Sequence, residues 1–312
     1  MFPWETEVPV ITGDNSIQIN VAIAYLSANY GGGTVYLDPG VYTVANPILR
    51  KSNIKIRGAF NGSGIWDAFS SVGTIVKWTG AAGGTVFYDA PSADQKPVNN
   101  GGISDLTIDG GGIAAYGLQS LSTSYAEYRR MHCVGATSQG FYFGTTNTTI
   151  ATLNYRTRLD SLSAVMTGGG NGFVLDGVPG SGRNTCFMTA TNLTVAFLNG
   201  CGFALLNADD CVFVGCSASL ISGGSGGAGI YFGGSSDGSG KAANANQLYG
   251  FWTNGYINSA GGTYPSRGNI VYTSCMDGKP LIYQQSGSTQ NVIAVDGEPG
   301  LNGFIRNPIP PG

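Results

Sequence analysis

The spacing of apolar residues changes character twice within residues 14–44. Ile19, Ile23, Leu26 and Tyr30 recur at steps of four, three and four, which places them on one face of a helix. Asn15 stands at the cap position with Gln18 three residues on, the spacing of a capping box, and Gly31, Gly32 and Gly33 stop the helix. The pattern then shortens to strands at 34–37 and 41–44 around an Asp38-Pro39-Gly40 turn. No comparable helical period follows. Instead, a glycine with an apolar residue after it returns at Gly117-Leu118, Gly140-Phe141, Gly172-Phe173, Gly202-Phe203 and Gly229-Ile230, at spacings of 23, 32, 30 and 27 residues. Each glycine has a second strand upstream, at 106–108, 131–134, 156–159, 193–195 and 212–214. Further strands are predicted at 53–57, 74–78, 85–88, 246–257, 269–274, 280–285 and 291–297. A period that varies by a few residues around the mid-twenties is that of stacked coils joined by unequal loops.

The segment GGGTVYLDPGVYTV, with Gln18, Ala22 and Ile23 in the helix before it, resembles the start of the pectate-lyase-like right-handed parallel β-helices, phage tailspikes and polysaccharide depolymerases in particular. The resemblance is one of motif over about thirty residues, and one of repeat rhythm beyond Val44. It implies an all-β solenoid, a single-stranded right-handed parallel β-helix, whose N-terminal α-helix covers the open end of the core and its strand edge. The competing reading is an α/β crossover, which a second helix would have to continue. The expected organisation is a cap helix with first strands at 1–44, the β-helix at 45–297 and a proline-rich tail at 298–312. Thirteen residues precede the cap, so the attachment domain that tailspikes carry N-terminally is not expected within this chain.

Composition narrows the choice. Glycine supplies 51 of 312 residues and charged residues only 11%, while hydrophobic residues make up 42%, enough for a continuous core. A net charge of -3 argues against nucleic acid as a partner, because phosphate recognition needs clustered positive charge. The first ten residues lack the basic start and apolar run of a secretory signal, and no stretch is long and apolar enough to span a membrane. Cys133, Cys186, Cys201, Cys211, Cys216 and Cys275 show no paired spacing for a metal. They read as buried thiols, with a disulfide among Cys201, Cys211 and Cys216 as the alternative. No cofactor or metal site is expected.

Superposing coils on their glycines gives candidate chemistry. Ile108, Met131 and Leu193, nine residues before the glycine, point inward, and alternation turns their neighbours outward. Aligning Leu159 with Met131 then yields a surface ladder of Asp109, His132 and Asp160 beside Arg130 and Arg158. A histidine among carboxylates suits general acid or base catalysis, and arginines suit the carboxylates of acidic sugars. The alternative is cross-strand charge pairing. Asp209-Asp210-Cys211-Val212 looks like the paired aspartates of polygalacturonase-like hydrolases, which implies catalysis by Asp209 and Asp210. The Gly-His-Gly expected a coil later is absent, however, with glycine and alanine at 226–229, and two aspartates also suit a turn. Trp252, Tyr256 and Trp66 are candidate sugar-stacking rings. By resemblance, the chain is expected to be a tailspike-like homotrimer that binds bacterial cell-surface polysaccharide, on the virion or outside the cell, with depolymerisation of that polysaccharide as an open further option. A non-catalytic fibre module and a secreted lyase or epimerase are the other readings.

Overall fold

The computed structural model describes residues 2–59, 73–91, 96–144, 154–177, 185–221, 227–233, 243–253, 256–259, 268–274, 282–284 and 292–296. It shows a right-handed parallel β-helix with one α-helix at its start, and every paired strand in it runs parallel. Each coil lays one strand in a large sheet, sheet A, and the next in a second sheet, sheet B, with short two-residue strands at some corners. One hydrophobic core runs without interruption from Val8 to Val271. The expected tail, Trp66 and Cys275 lie outside the described residues.

The helix spans Ser16–Tyr30 and buries Ile19, Ala22, Ile23 and Leu26 against the first strands. Three details differ from expectation. Tyr30 is exposed, and Ile17, Val21 and Tyr25 put apolar groups on the outer side as well, so the helix is not amphipathic in the usual sense. Asn15 does not cap: its Oδ1 accepts from the Ile11 N–H at 2.8 Å and from Gln18 Nε2 at 2.9 Å, while Asp14 takes the Ser16 N–H. Finally, the free edge of Gly33–Leu37 is covered by an additional strand, Glu5–Val8, rather than by the helix. That strand lacks clean alternation in Glu-Thr-Glu-Val, which hides it from a periodicity reading.

The periodic glycines have a steric cause. They lie where sheet B turns in against sheet A, and the inward column Cys133, Ala164, Val195, Ala218 faces them from one coil to the next. A Cβ on Gly202 would stand 2.5 Å from Ala218 Cβ, and one on Gly140 3.0 Å from Ala164 Cβ. The residue after each glycine enters the core, where Phe141 stacks on Phe173 at 4.9 Å and Phe173 on Phe203 at 5.3 Å. Such offset stacks are worth about 0.5–1.5 kcal/mol beyond area burial. Cys133, Cys211 and Cys216 are buried free thiols and Cys186 and Cys201 half-buried ones; burial pushes Cys133 and Cys216 up to about 12.

Two corners per coil are turned by a residue in the left-handed region. One column, within the long strands of sheet A, holds Asp105, Arg130, Ser161, Asn192, Gly215 and Gly250. The other, just before sheet A, holds Asn53, Asn100, Tyr125, Arg156, Phe187, Asp210, Ala245 and Gly268. Glycine and asparagine adopt this conformation readily, but a bulky side chain costs roughly 1–2 kcal/mol.

Several polar groups inside the core are paired with one another. Asn154 Oδ1 accepts from Ser120 Oγ at 2.9 Å and the Thr123 N–H at 3.1 Å, and Asn246 Nδ2 donates to Asn269 Oδ1 at 2.9 Å. Arg50 and Asp89 form a fully buried bidentate pair, with Nε to Oδ1 at 2.9 Å and Nη2 to Oδ2 at 3.1 Å, and the Tyr128 hydroxyl donates to Asp89 as well. Removing one charge strands the other in low dielectric. Asp89→Ala is therefore expected to lower stability by about 3–5 kcal/mol. Arg50→Met combined with Asp89→Leu should recover most of that loss in urea unfolding; equal loss in single and double variants would contradict this reading.

Candidate functional site

The outward face of sheet A is built by alternation from strands whose other face fills the core. Along it Thr107, His132, Ser163, Thr194, Ser217 and Trp252 occupy successive rungs of a single column parallel to the helix axis. Four rungs separate His132 from Trp252, about 19 Å at the usual strand spacing. The three residues between them are small and hydroxylated. All are half-buried, so the column is a shielded strip rather than a ridge. Among the described residues the buried indole Nε1–H of Trp252 has no acceptor.

His132 Nδ1 lies 2.6 Å from Ser163 Oγ. Burial lowers the imidazole below its ordinary value, so it is neutral near pH 7 and able to take a proton from a hydroxyl or water.

The carboxylates of the expected ladder are placed differently. His132 faces Thr107 and Ser163, whereas Asp109 stands two residues further along, opposite Val134 and Lys77. Asp160 lies across the bend, opposite Arg129. Two local lengths cause this. The turn after Asp109 has two more residues than the one after Val134, an even slip that preserves facing but shifts partners. The bend shared by Arg130 and Ser161 leaves two inward residues three apart in each strand, so Leu159 pairs with Tyr128 and Leu162 with Met131. The signal was present in the sequence: inward residues fall three apart at Ile103/Leu106, Tyr128/Met131, Leu159/Leu162, Ala190/Leu193 and Phe213/Cys216.

Each ladder carboxylate also has partners. Asp109 pairs with Lys77 at 3.4 Å and accepts the Gly111 N–H. Asp160 pairs with Arg129 at 3.4 Å and accepts from Thr191 Oγ1 at 2.7 Å. Arg130 is in the bend, not in the outward column, where it joins Arg57 on the nearly buried Asp105. Arg158 is exposed and registers with Glu127. Asp109 and Asp160 are separated by two rungs and five residues, a distance on the order of 15 Å, beyond the ~5–9.5 Å of glycosidase carboxylate pairs.

Asp209 and Asp210 form a corner. Asp209 Oδ1 accepts the Asn244 N–H at 3.0 Å, and Asp210 is the exposed left-handed residue there. Tyr256 begins the strand Tyr256–Ser259 in sheet B, registered with Ala228, and its side chain lies outside the described residues. Trp252 and Tyr256 therefore belong to different sheets. No group of three or more potential metal ligands occurs among the described residues.

The fold places this chain among the parallel β-helix proteins. No protein-family model and no curated sequence matches it. Solved structures do. The tailspike gp49 of Acinetobacter baumannii bacteriophage Fri1, a capsular polysaccharide depolymerase, matches with a TM-score of 0.57 at 13% identity, over 94% of this chain and 57% of its own. The catalytic domain of a GH87 α-1,3-glucanase gives 0.57 at 13% identity, over 94% and 58%. ORF18 of Geobacillus virus E2 gives 0.55 at 17%, over 94% and 62%. The chain thus spans about three-fifths of the length of these proteins, and the likeness is one of fold. No helix among the described residues is long and apolar enough to cross a membrane.

The lowered His132 value carries a sign. Between its folded value and the ordinary 6.5, the unfolded chain binds the proton and the folded chain does not. The stabilisation is present above about pH 6.5 and is lost as pH falls through the folded value. The melting temperature should therefore fall more between pH 7.5 and 5 in the wild type than in His132→Gln. Since His132 is the single histidine, parallel curves for the two proteins would refute the assignment.

Proposed function

We propose that this chain is a tailspike-like protein that binds bacterial surface polysaccharide along the outward face of sheet A, assembled as a homotrimer on a virion. The observation that supports the reading is the axial column from His132 to Trp252. A polymer needs a linear site, and this column offers hydroxyls at the strand repeat with a ring at each end. Sugars present hydroxyls and apolar C–H faces, which those hydroxyls and the Trp252 indole complement. The tailspike and glucanase likenesses agree with a carbohydrate ligand.

A second reading adds cleavage. The neutral His132 can serve as general base, and Arg129 and Arg158 supply positive charge for a uronate carboxylate, an arrangement that suits β-elimination better than two-carboxylate hydrolysis. Elimination leaves an unsaturated sugar end, read as ultraviolet absorbance.

The test is affinity electrophoresis against a panel of capsular polysaccharides, followed by assay for released oligosaccharide. Trp252→Ala is expected to weaken retention about tenfold, or ~1.4 kcal/mol. If cleavage occurs, His132→Ala should abolish it while leaving retention nearly intact. Retention of the wild type with no oligosaccharide released supports the non-catalytic module, and retention unchanged by Trp252→Ala removes the column from the binding site. Sedimentation at three times the 32.2 kDa chain mass checks the trimer.

A further inference from the structure

The corner just before sheet A carries a feature that packing does not require. Its left-handed column begins with Asn53 and Asn100, hydrogen-bonded to one another at 3.0 Å, and its last described member is Gly268. In three successive coils between them the position is occupied by Tyr125, Arg156 and Phe187, residues that this conformation disfavours. These side chains do not enter the core: Tyr125 is 54% and Phe187 49% exposed, and Arg156 is exposed too. Tyr155 fills the space between the two rings, with edge contacts at 6.0 Å to Tyr125 and 5.6 Å to Phe187. The Arg156 guanidinium lies 5.2 Å from the Tyr155 ring centre and 6.0 Å from that of Tyr125. Asp210 occupies the next rung.

The result is a ridge of three contiguous rings and one cation, in which Tyr125, Arg156 and Phe187 are held in solvent by a strained backbone. Strain of this kind is retained where a display of side chains is useful. We infer that the Tyr125–Tyr155–Phe187 ridge, with Arg156, is a second glycan-binding site that takes a uronate-containing polysaccharide. Tyr125 and Phe187 offer apolar faces to the C–H faces of sugar rings, and Arg156 offers a two-pronged donor to a uronate carboxylate. Asp210, at the lower end, accepts from sugar hydroxyls. Arg158, two residues beyond Arg156, continues the positive surface toward the His132 column. This inference rests on the polysaccharide reading above, and it assigns both the acidic character of the ligand and a site separate from Trp252.

The corner itself supplies the test, because asparagine occupies the same column in two earlier coils. Tyr125→Asn and Phe187→Asn relieve strain and delete a ring, so each should fold with an unchanged or raised melting temperature. In gels containing polygalacturonate or a uronate-bearing capsular polysaccharide, each is expected to weaken retention about tenfold, and Arg156→Gln to do likewise, while none is retained by neutral dextran. Retention reduced by Trp252→Ala but untouched by the three ridge variants overturns the ridge and leaves the polysaccharide reading standing. A lowered melting temperature with full retention assigns the ridge a structural role and overturns it too. Retention of the wild type by dextran alone, or by none of these polymers, overturns the acidic assignment.

Discussion

Everything in this molecule is subject to the hydrogen bonding of each coil to the one before it, rung on rung. A parallel ladder fixes neighbouring strands at about 4.8 Å, so a residue is selected less by its neighbours in sequence than by the residues above and below it. Columns are the consequence. The glycines at the second position of five strands of sheet B recur because a Cβ would collide with the facing side chain of sheet A, as with Ala164 and Ala218. The phenylalanines after them recur because flat rings stack at rung spacing. Asn246 and Asn269 recur because the amide of one satisfies the other in a fully buried corner.

The same constraint decides which features the sequence discloses. A column with one residue type, such as the glycines, can be read directly, and it gave the coils; the starting helix came from the spacing of Ile19, Ile23 and Leu26, and the right-handed parallel β-helix from the resemblance of residues 31–44. Register could not be read that way, because it is the sum of every turn length between one mark and the next. Two extra residues in the turn after Asp109, and a bend that sets two inward residues three apart in each long strand of sheet A, were enough to dissolve the ladder of Asp109, His132 and Asp160. Facing survived where partnership did not. His132 and Asp109 remain outward because the slip between their coils is even, while Arg130 left the outward column because a left-handed residue interrupts alternation.

The candidate surface was legible in part for the same reason. His132 and Trp252 were marked separately by residue type, and only the rung sequence through Ser163, Thr194 and Ser217 shows that they share a column. Serine and threonine are too common in such a chain to be singled out without it. The aromatic corner was invisible, since Tyr125, Tyr155 and Phe187 read as ordinary strand formers. What distinguishes them is backbone conformation, a property that side-chain type argues against rather than for.

Charge on sheet A follows from the stacking as well. With 11% charged residues, charge on this sheet is sparse, and three of its carboxylates meet cations on adjacent strands: Asp105 with Arg57 and Arg130, Asp109 with Lys77, Asp160 with Arg129. These partly exposed pairs contribute little stability individually. Their larger effect is on position, because each pair ties its carboxylate to a side chain of an adjacent strand. The separation of Asp109 and Asp160, on the order of 15 Å, removes them from contention as a hydrolytic couple. The neutral imidazole at 2.6 Å from a hydroxyl is thereby left as the group on this face best suited to move a proton.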